Sequence, residues 1–389
     1  MVPEKEYFIQ IISDHLARRD TVFKDDMDWS VIAALSKSHQ VDGIIYCQCK
    51  SFMPDNVRAL YEQAFAATLF YYKNQENSLN KIIKLFSEKD IPVVIVKGVE
   101  VARCYPYPAL RTMGDCDILV HKEDKEKAGQ LLKENGFKIK NVNPEYEWTF
   151  FLNGMTYELH HNLIYTEAVT RQEQMVFFNN YWDYVIDGHL NWNFHFVFLL
   201  AHLRKHFMNK GVGIRMFMDL AVVMKKDLDW RWIHEILHQT GMLQFSRVCF
   251  GLIEEWFQIK AGIPYEHLEE GFVENASEKI LTDGVFGFDN DENKTNNLVN
   301  QFAGKHKLLS RIRLGWRTIF PSYIIMSNSP YYHFVSGRKW LLPAAWIFRG
   351  FRMITGKTPS LSEKMSKIMT PVEIINEREK ELRAWGLIS

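Results

Sequence analysis

The feature that most constrains this chain is the run Gly114-Asp115-Cys116-Asp117-Ile118-Leu119-Val120. Its aliphatic character predicts a short buried strand entered through a glycine. Side chains alternate along a strand, so Asp115 and Asp117 point one way while Cys116, Ile118 and Val120 point the other way, into a core. Two carboxylates side by side on a rigid strand repel, and the arrangement is costly unless they share a proton or a cation. A divalent cation that favours hard oxygen ligands, Mg²⁺ or Mn²⁺, meets that requirement. The fold must therefore keep apolar packing off the acidic face of this strand.

The surrounding pattern supplies the rest of a small α/β unit. Ile91-Pro92-Val93-Val94-Ile95-Val96 reads as a buried strand that ends at Lys97-Gly98. A short helix over Val99–Cys104 follows, then the proline-rich loop Tyr105-Pro106-Tyr107-Pro108. Glu123–Asn135 is an amphipathic helix closed by Gly136. Glu147–Leu152 and Met155–Leu163 form a hairpin around Asn153-Gly154, a strong two-residue turn signal.

Both flanks read as helical. Tyr7–Arg19, Trp29–Ser36 with Asp28 as N-cap, and a long stretch from Asn56 to about Lys89, broken at most once, carry apolar residues at a period near 3.6. After residue 190, Phe194–Phe207, Met216–Lys225, Trp230–Gly241 and Gly251–Lys260 repeat that pattern. Asp289–Asn297 reads as a polar, mobile loop. The expected organisation is an α+β chain: an N-terminal helical region over 1–88, a mixed-sheet α/β core over 89–188, and a C-terminal helical domain over 189–389.

Charge narrows the partners. Lys and Arg balance Asp and Glu at 47 each, so no global excess points to nucleic acid. Local asymmetry remains in the last hundred residues, where Arg311, Arg313, Arg317, Arg338, Lys339, Arg349 and Arg352 lie among aromatic residues such as Trp340. These side chains read either as arginines snorkelling around a helical core or as a surface for nucleic acid or anionic lipid. Five cysteines without zinc-ligand spacing predict reduced thiols. The first residues carry no leader pattern, and no window reaches the length of a membrane span, so the expectation is a cytoplasmic protein without an integral membrane segment.

Three features collect in the α/β unit. Val96-Lys97-Gly98 is a strand-to-helix turn where a phosphate can approach the backbone beside a positive charge. Arg111 precedes Asp115 by four residues and is placed either to pair with it or to grip phosphate bidentately. Glu158 and His160 share one face of a later strand, and Glu158 becomes a third acid if that strand lies beside the first. Two pairs on later helices read as structural. His202 and His206 lie at i, i+4 without the glutamate of a zinc-protease motif, and are expected as core or groove histidines. Arg215 and Asp219, also at i, i+4, read first as a helix ion pair.

Together these residues resemble the DNA polymerase β-like nucleotidyltransferase superfamily. Within it the chain is most similar to an uncharacterised bacterial nucleotidyltransferase family. The carrying motifs are Val96-Lys97-Gly98, Tyr105-Pro106, Arg111-Thr-Met-Gly114-Asp115-Cys-Asp117-Ile-Leu-Val120 and Glu158-Leu-His160. The resemblance continues through His202-Leu-Arg-Lys-His206, Gly213-Ile-Arg215, Asp219-Leu-Ala221, Phe320-Pro321-Ser322 and Leu342-Pro343. It implies a polymerase β-like core and two-metal transfer of an NMP from an NTP, with release of pyrophosphate. Asp115, Asp117 and Glu158 would be both catalytic residues and ligands for Mg²⁺ or Mn²⁺. Lys97, Gly98, Arg111, His160 and Arg215 would contact the nucleotide. The implied partner is an NTP with an unidentified acceptor, a small molecule, sugar or protein ahead of RNA. Lys97-Gly98 departs from the superfamily's usual Gly-Gly or Gly-Ser. The alternatives are an inactive nucleotidyltransferase-like binding module and a glycosyltransferase of the Asp-x-Asp type.

Overall fold

Five strands form the central sheet: β1 (Val93–Val96), β2 (Asp115–Val120), β3 (Lys138–Val142), β4 (Glu147–Leu152) and β5 (Met155–His160). Their order is β1-β2-β5-β4-β3. β2 and β5 run parallel, and the other neighbours are antiparallel. The computed structural model describes residues 1–142, 147–164, 172–209, 212–284, 316, 320–327, 331–335, 337–354 and 372–387. Asp289–Asn297, Arg311, Arg313 and Arg317 lie outside these residues.

Four helices precede the sheet: α1 (Pro3–Ala17), α2 (Trp29–His39), α3 (Asp42–Cys49) and α4 (Asp55–Ser87). α5 (Gly98–Ala102) follows β1 and α6 (Lys125–Glu134) follows β2. α7 (Gln172–Asn179), a small hairpin of β6 (Val185–Ile186) and β7 (His189–Leu190), α8 (Trp192–Asn209), α9 (Ile214–Val223), α10 (Trp230–Gln239), α11 (Leu243–Phe257) and α12 (Glu270–Asp283) come after the sheet. The chain is thus a mixed α+β protein. Met1–Phe288 form one compact unit and Asp289–Ser389 a second. The described part of the second unit contains α13 (Tyr323–Ser327), α14 (Leu342–Ile354) and α15 (Val372–Ala384). There Met326, Tyr332, Val335 and Ala345 make a small core.

The sheet has two unlike faces because its strands alternate. Ile95, Cys116, Ile118, Val120, Phe150, Tyr157 and Leu159 project to one side. They pack against Leu79, Ile82 and Phe86 of α4 and Ala128 and Leu132 of α6. The other side carries Asp115, Asp117, Glu158 and His160. The phase of β5 follows from its turn: Asn153 (φ 50°) and Gly154 (φ 84°) both take the positive φ that a type I′ hairpin requires. Leu152 and Met155 then close the ladder.

Several elements differ from the periodicity reading. α4 is one unbroken helix of 33 residues. α11 begins at Leu243, eight residues before Gly251, and ends at Phe257. α3, α12, β3 and the β6–β7 hairpin were not anticipated. β3 is exposed along its whole length and contains a register shift, so no alternation of apolar residues marks it. Asp28 does cap α2, accepting from the Ser30 N–H at 2.8 Å. All five cysteines are free thiols.

Gly129 of α6 answers a packing need. A methyl group there would lie 2.3 Å from the Trp148 ring of β4. Gly129→Ala gains helix propensity of at most about 1 kcal/mol. The clash with a rigid ring costs more, so a net loss of about 1–2 kcal/mol in unfolding free energy is expected, read as a lowered urea midpoint.

His39 joins distant parts of the first unit. Its Nε2 donates to the Leu281 carbonyl at 3.1 Å, and its Nδ1 accepts from the Ile214 N–H at 3.3 Å. Burial pushes its pKa down to about 4, with the charge of Arg215 acting in the same direction. The unfolded chain takes up this proton near pH 6.5 and the folded chain refuses it until about pH 4, so stability falls as pH drops through that window. The loss from this one group is on the order of 3 kcal/mol. Thermal melts across the window should show it, and His39→Gln should flatten the slope.

Candidate active site

The acidic face is built by register. In the parallel pair of β2 and β5, Asp117 lies opposite Glu158 and Leu119 opposite His160. Cross-strand partners share a face, so Asp117, Glu158 and His160 converge. Donor atoms of these three side chains lie within 4.8 Å of one another, and among the described residues they are the group so arranged. Asp115 is on the same face one pleat away and lines the same cavities, outside that group.

Charge compensation is internal. Lys97 Nζ sits 2.8 Å from Asp117 Oδ2. His160 Nε2 lies 3.3 Å from both Asp117 Oδ1 and Glu158 Oε2, and its Nδ1 lies 3.9 Å from Glu147. Burial alone would raise the Asp117 pKa, but Lys97 and His160 overcome it and hold the group far below the carboxylate range. Burial lowers the His160 pKa, and the adjacent Asp117 and Glu158 carboxylates reverse this, raising it to about 9. Lys97 is likewise disfavoured by burial and restored by Asp117, ending above its ordinary value. Asp115 moves upward because surrounding protein limits its hydration and Asp117 repels its charge.

The backbone at Lys97 is strained. Its φ of 55° and ψ of −132° suit glycine, and such a conformation costs on the order of 1–3 kcal/mol elsewhere in the fold. What holds it is His195 of α8, whose Nε2 accepts from the Lys97 N–H at 3.1 Å. Burial pushes the His195 pKa down to about 3, so the ring stays neutral and can accept. His195 lies on an apolar helix, with no sequence signal to set it apart. Gly98 continues the turn with φ 27°.

Arg111 is committed elsewhere than to Asp115. Its Nε and Nη2 each donate at 2.7 Å to the two carboxylate oxygens of Asp219, and Tyr105 Oη donates to the same group at 2.7 Å. The expected Arg215–Asp219 helix pair is therefore replaced by a bidentate pair between loop and helix. Arg215 instead donates to Gln40 Oε1 and Thr112 Oγ1, both at 2.8 Å. The i, i+4 spacing is real, but Arg111 offers a planar fork that matches both oxygens. These bonds pin the loop ahead of β2 to α9.

Two cavities meet at the acidic row. One of about 680 Å³ is lined by Lys97, Gly98, Arg111, Lys140 and Arg215 among others. The other, of about 310 Å³, is lined by Glu147, His160, Asn162, Gln174 and Lys205 among others. Lys97, Asp115, Asp117, Glu158, His202 and His206 border both. His202 and His206 are thus groove histidines, with ring centroids 4.4 Å apart. Burial and the Lys97 charge hold His202 well below its ordinary pKa. The eight residues singled out in sequence, Asp115, Asp117, Glu158, Lys97, Gly98, Arg111, His160 and Arg215, all border at least one of these cavities.

No curated protein and no solved structure matches the chain. A family model described as an uncharacterised nucleotidyltransferase matches residues 25–258, more than half the chain and the whole of the sheet and its cavities. The chain belongs to this nucleotidyltransferase family.

Proposed function

We propose that this protein moves a nucleoside monophosphate from an NTP to an acceptor, releasing pyrophosphate, on a polymerase β-like core. The observation that carries this reading is the in-register facing of Asp117 and Glu158 across two parallel strands, with Asp115 beside them at the rim of two cavities. The donor set suits a hard divalent cation: the Asp117 and Glu158 carboxylates, with His160 within 4.8 Å, on a face whose charge already draws Lys97 and His160. Asp117 and Glu158 would hold Mg²⁺ or Mn²⁺, with Asp115 as a further ligand where two ions are used, and His160 would join them only on giving up the proton that these carboxylates stabilise. A bound ion supplies charge neutralisation on the triphosphate and polarises its oxygens.

The chain's own residues do the rest. The larger cavity takes the NTP. Lys140 and Arg215 face its phosphates, Gly98 leaves the strand-to-helix turn open to them, and Arg111 fixes the loop while contributing positive potential. Lys97 neutralises charge at the carboxylate row. The smaller cavity takes the acceptor. Glu158 receives the acceptor hydroxyl's proton as its oxygen bonds the α-phosphorus and the bond to the β-phosphate oxygen breaks. One strand precedes β2 in this sheet, and it is antiparallel, which favours this reading over that of a glycosyltransferase, whose nucleotide-sugar site calls for a longer parallel sheet ahead of the motif.

The test is transfer of label from each of four α-labelled NTPs, with Mg²⁺ or Mn²⁺, to protein, sugar and tRNA pools, followed together with pyrophosphate release. Labelled acceptor with matching pyrophosphate is expected. Metal-dependent NTP binding with no transfer to any pool would favour the inactive binding module, and the absence of both would overturn the reading.

A further inference from the structure

The second unit presents an apolar stripe outward. On α14, Ala344, Ile347, Phe348 and Phe351 recur at three- and four-residue spacing and are exposed. Ile347 is 76% exposed and Phe351 63%, and Trp340, just before the helix, is 76% exposed. The opposite side of α14 is already used: Ala345 sits in the small core, and Trp346 Nε1 donates to the Pro321 carbonyl at 2.9 Å. The helix is therefore apolar on both sides, although only one of them meets the described core.

Charge tells what kind of surface would cover the stripe. The whole chain is balanced, yet residues 293–362 hold eleven Lys and Arg and no Asp or Glu. Within the described part, Arg338 and Lys339 are exposed beside Trp340 at the start of the helix. Arg349 and Arg352 flank the stripe farther along, and Arg352 lies 4.0 Å over the Tyr331 ring. An outward apolar stripe bordered by cations and a tryptophan matches a helix lying in the headgroup plane of an anionic bilayer. A nucleic acid would use flat rings and cations, but Ile347 offers nothing to stack a base on. No helix among the described residues is long and apolar enough to cross a membrane, so contact would be peripheral.

We propose that the outward stripe of α14, with Trp340, Arg338 and Lys339, docks on the surface of an anionic phospholipid membrane.

The experiment is flotation of the full chain with vesicles of phosphatidylcholine alone or mixed with phosphatidylserine. Binding is expected on the mixed vesicles, with little on neutral ones, and it should weaken as salt is raised. Ile347→Ser and Phe351→Ser should each weaken partition roughly tenfold. Arg338→Glu with Lys339→Glu should do so by more than tenfold, at roughly fivefold per charge removed. All four side chains are exposed, so unchanged melting and far-UV spectra will show that the variants fold. Equal binding to neutral and anionic vesicles, or no binding to either, would overturn the proposal. So would tight binding of single-stranded RNA without vesicle binding, or a dimer that Phe351→Ser dissociates while vesicles are ignored. NTP transfer plays no part in the readout, so the result is independent of the activity proposed for the sheet.

Discussion

Asp117→Asn is expected to lower NTP turnover by at least about a thousandfold, the scale of removing a group that stabilises developing charge directly. The side chain keeps its shape and loses its charge. Lys97 and His160, which together hold this carboxylate ionised, then face a neutral amide. Lys97 still has Asp115 and Glu158 near it, so part of its charge stays compensated and the protein should fold. Pyrophosphate release should be measured at saturating NTP, at a temperature where circular dichroism shows native protein. Mn²⁺ affinity by calorimetry gives a second reading, expected to fall with turnover. Wild-type turnover in this variant would remove Asp117 from the chemistry and with it the proposed activity.

The largest effect on stability is expected from Asp219→Ala. The substitution strands Arg111, buried and deprived of both of its short contacts, and leaves the Tyr105 hydroxyl without its acceptor. Breaking a buried pair by removing one partner costs roughly 3–5 kcal/mol. For a unit of this size that corresponds to a fall in melting temperature on the order of 10 °C. The pair is worth far less when both members go together. Arg111→Met with Asp219→Leu should recover much of the loss, since a matched apolar replacement leaves no unpaired charge. Recovery of stability without recovery of activity would separate the structural role of Arg111 from its contribution to the larger cavity.

The chemistry-bearing core was legible because its signals are local. The alternation of β2, the Asn153-Gly154 turn and the paired faces of Glu158 and His160 are short-range patterns. One pairing, β2 with β5, turned them into a site. What escaped the sequence depends on distance. Arg111 finds Asp219 across 108 residues and His195 reaches Lys97 across 98, and neither separation leaves a periodic trace. The exposure of Leu60 and Phe70 on the first half of α4 was equally hidden, because the helical period is the same whether or not a partner covers the face. β3 and the short β6–β7 hairpin carry too few buried apolar residues to mark a strand.

The tight Asn153-Gly154 hairpin has a consequence for how this gene can vary. Side chains on β5 have a period of two, so one residue inserted into or deleted from the tip would move Glu158 and His160 to the packed side of the sheet unless the ladder reformed in a new register. Related chains should therefore conserve the length of this turn more strictly than its composition, and an indel scan should find it intolerant although it touches no ligand.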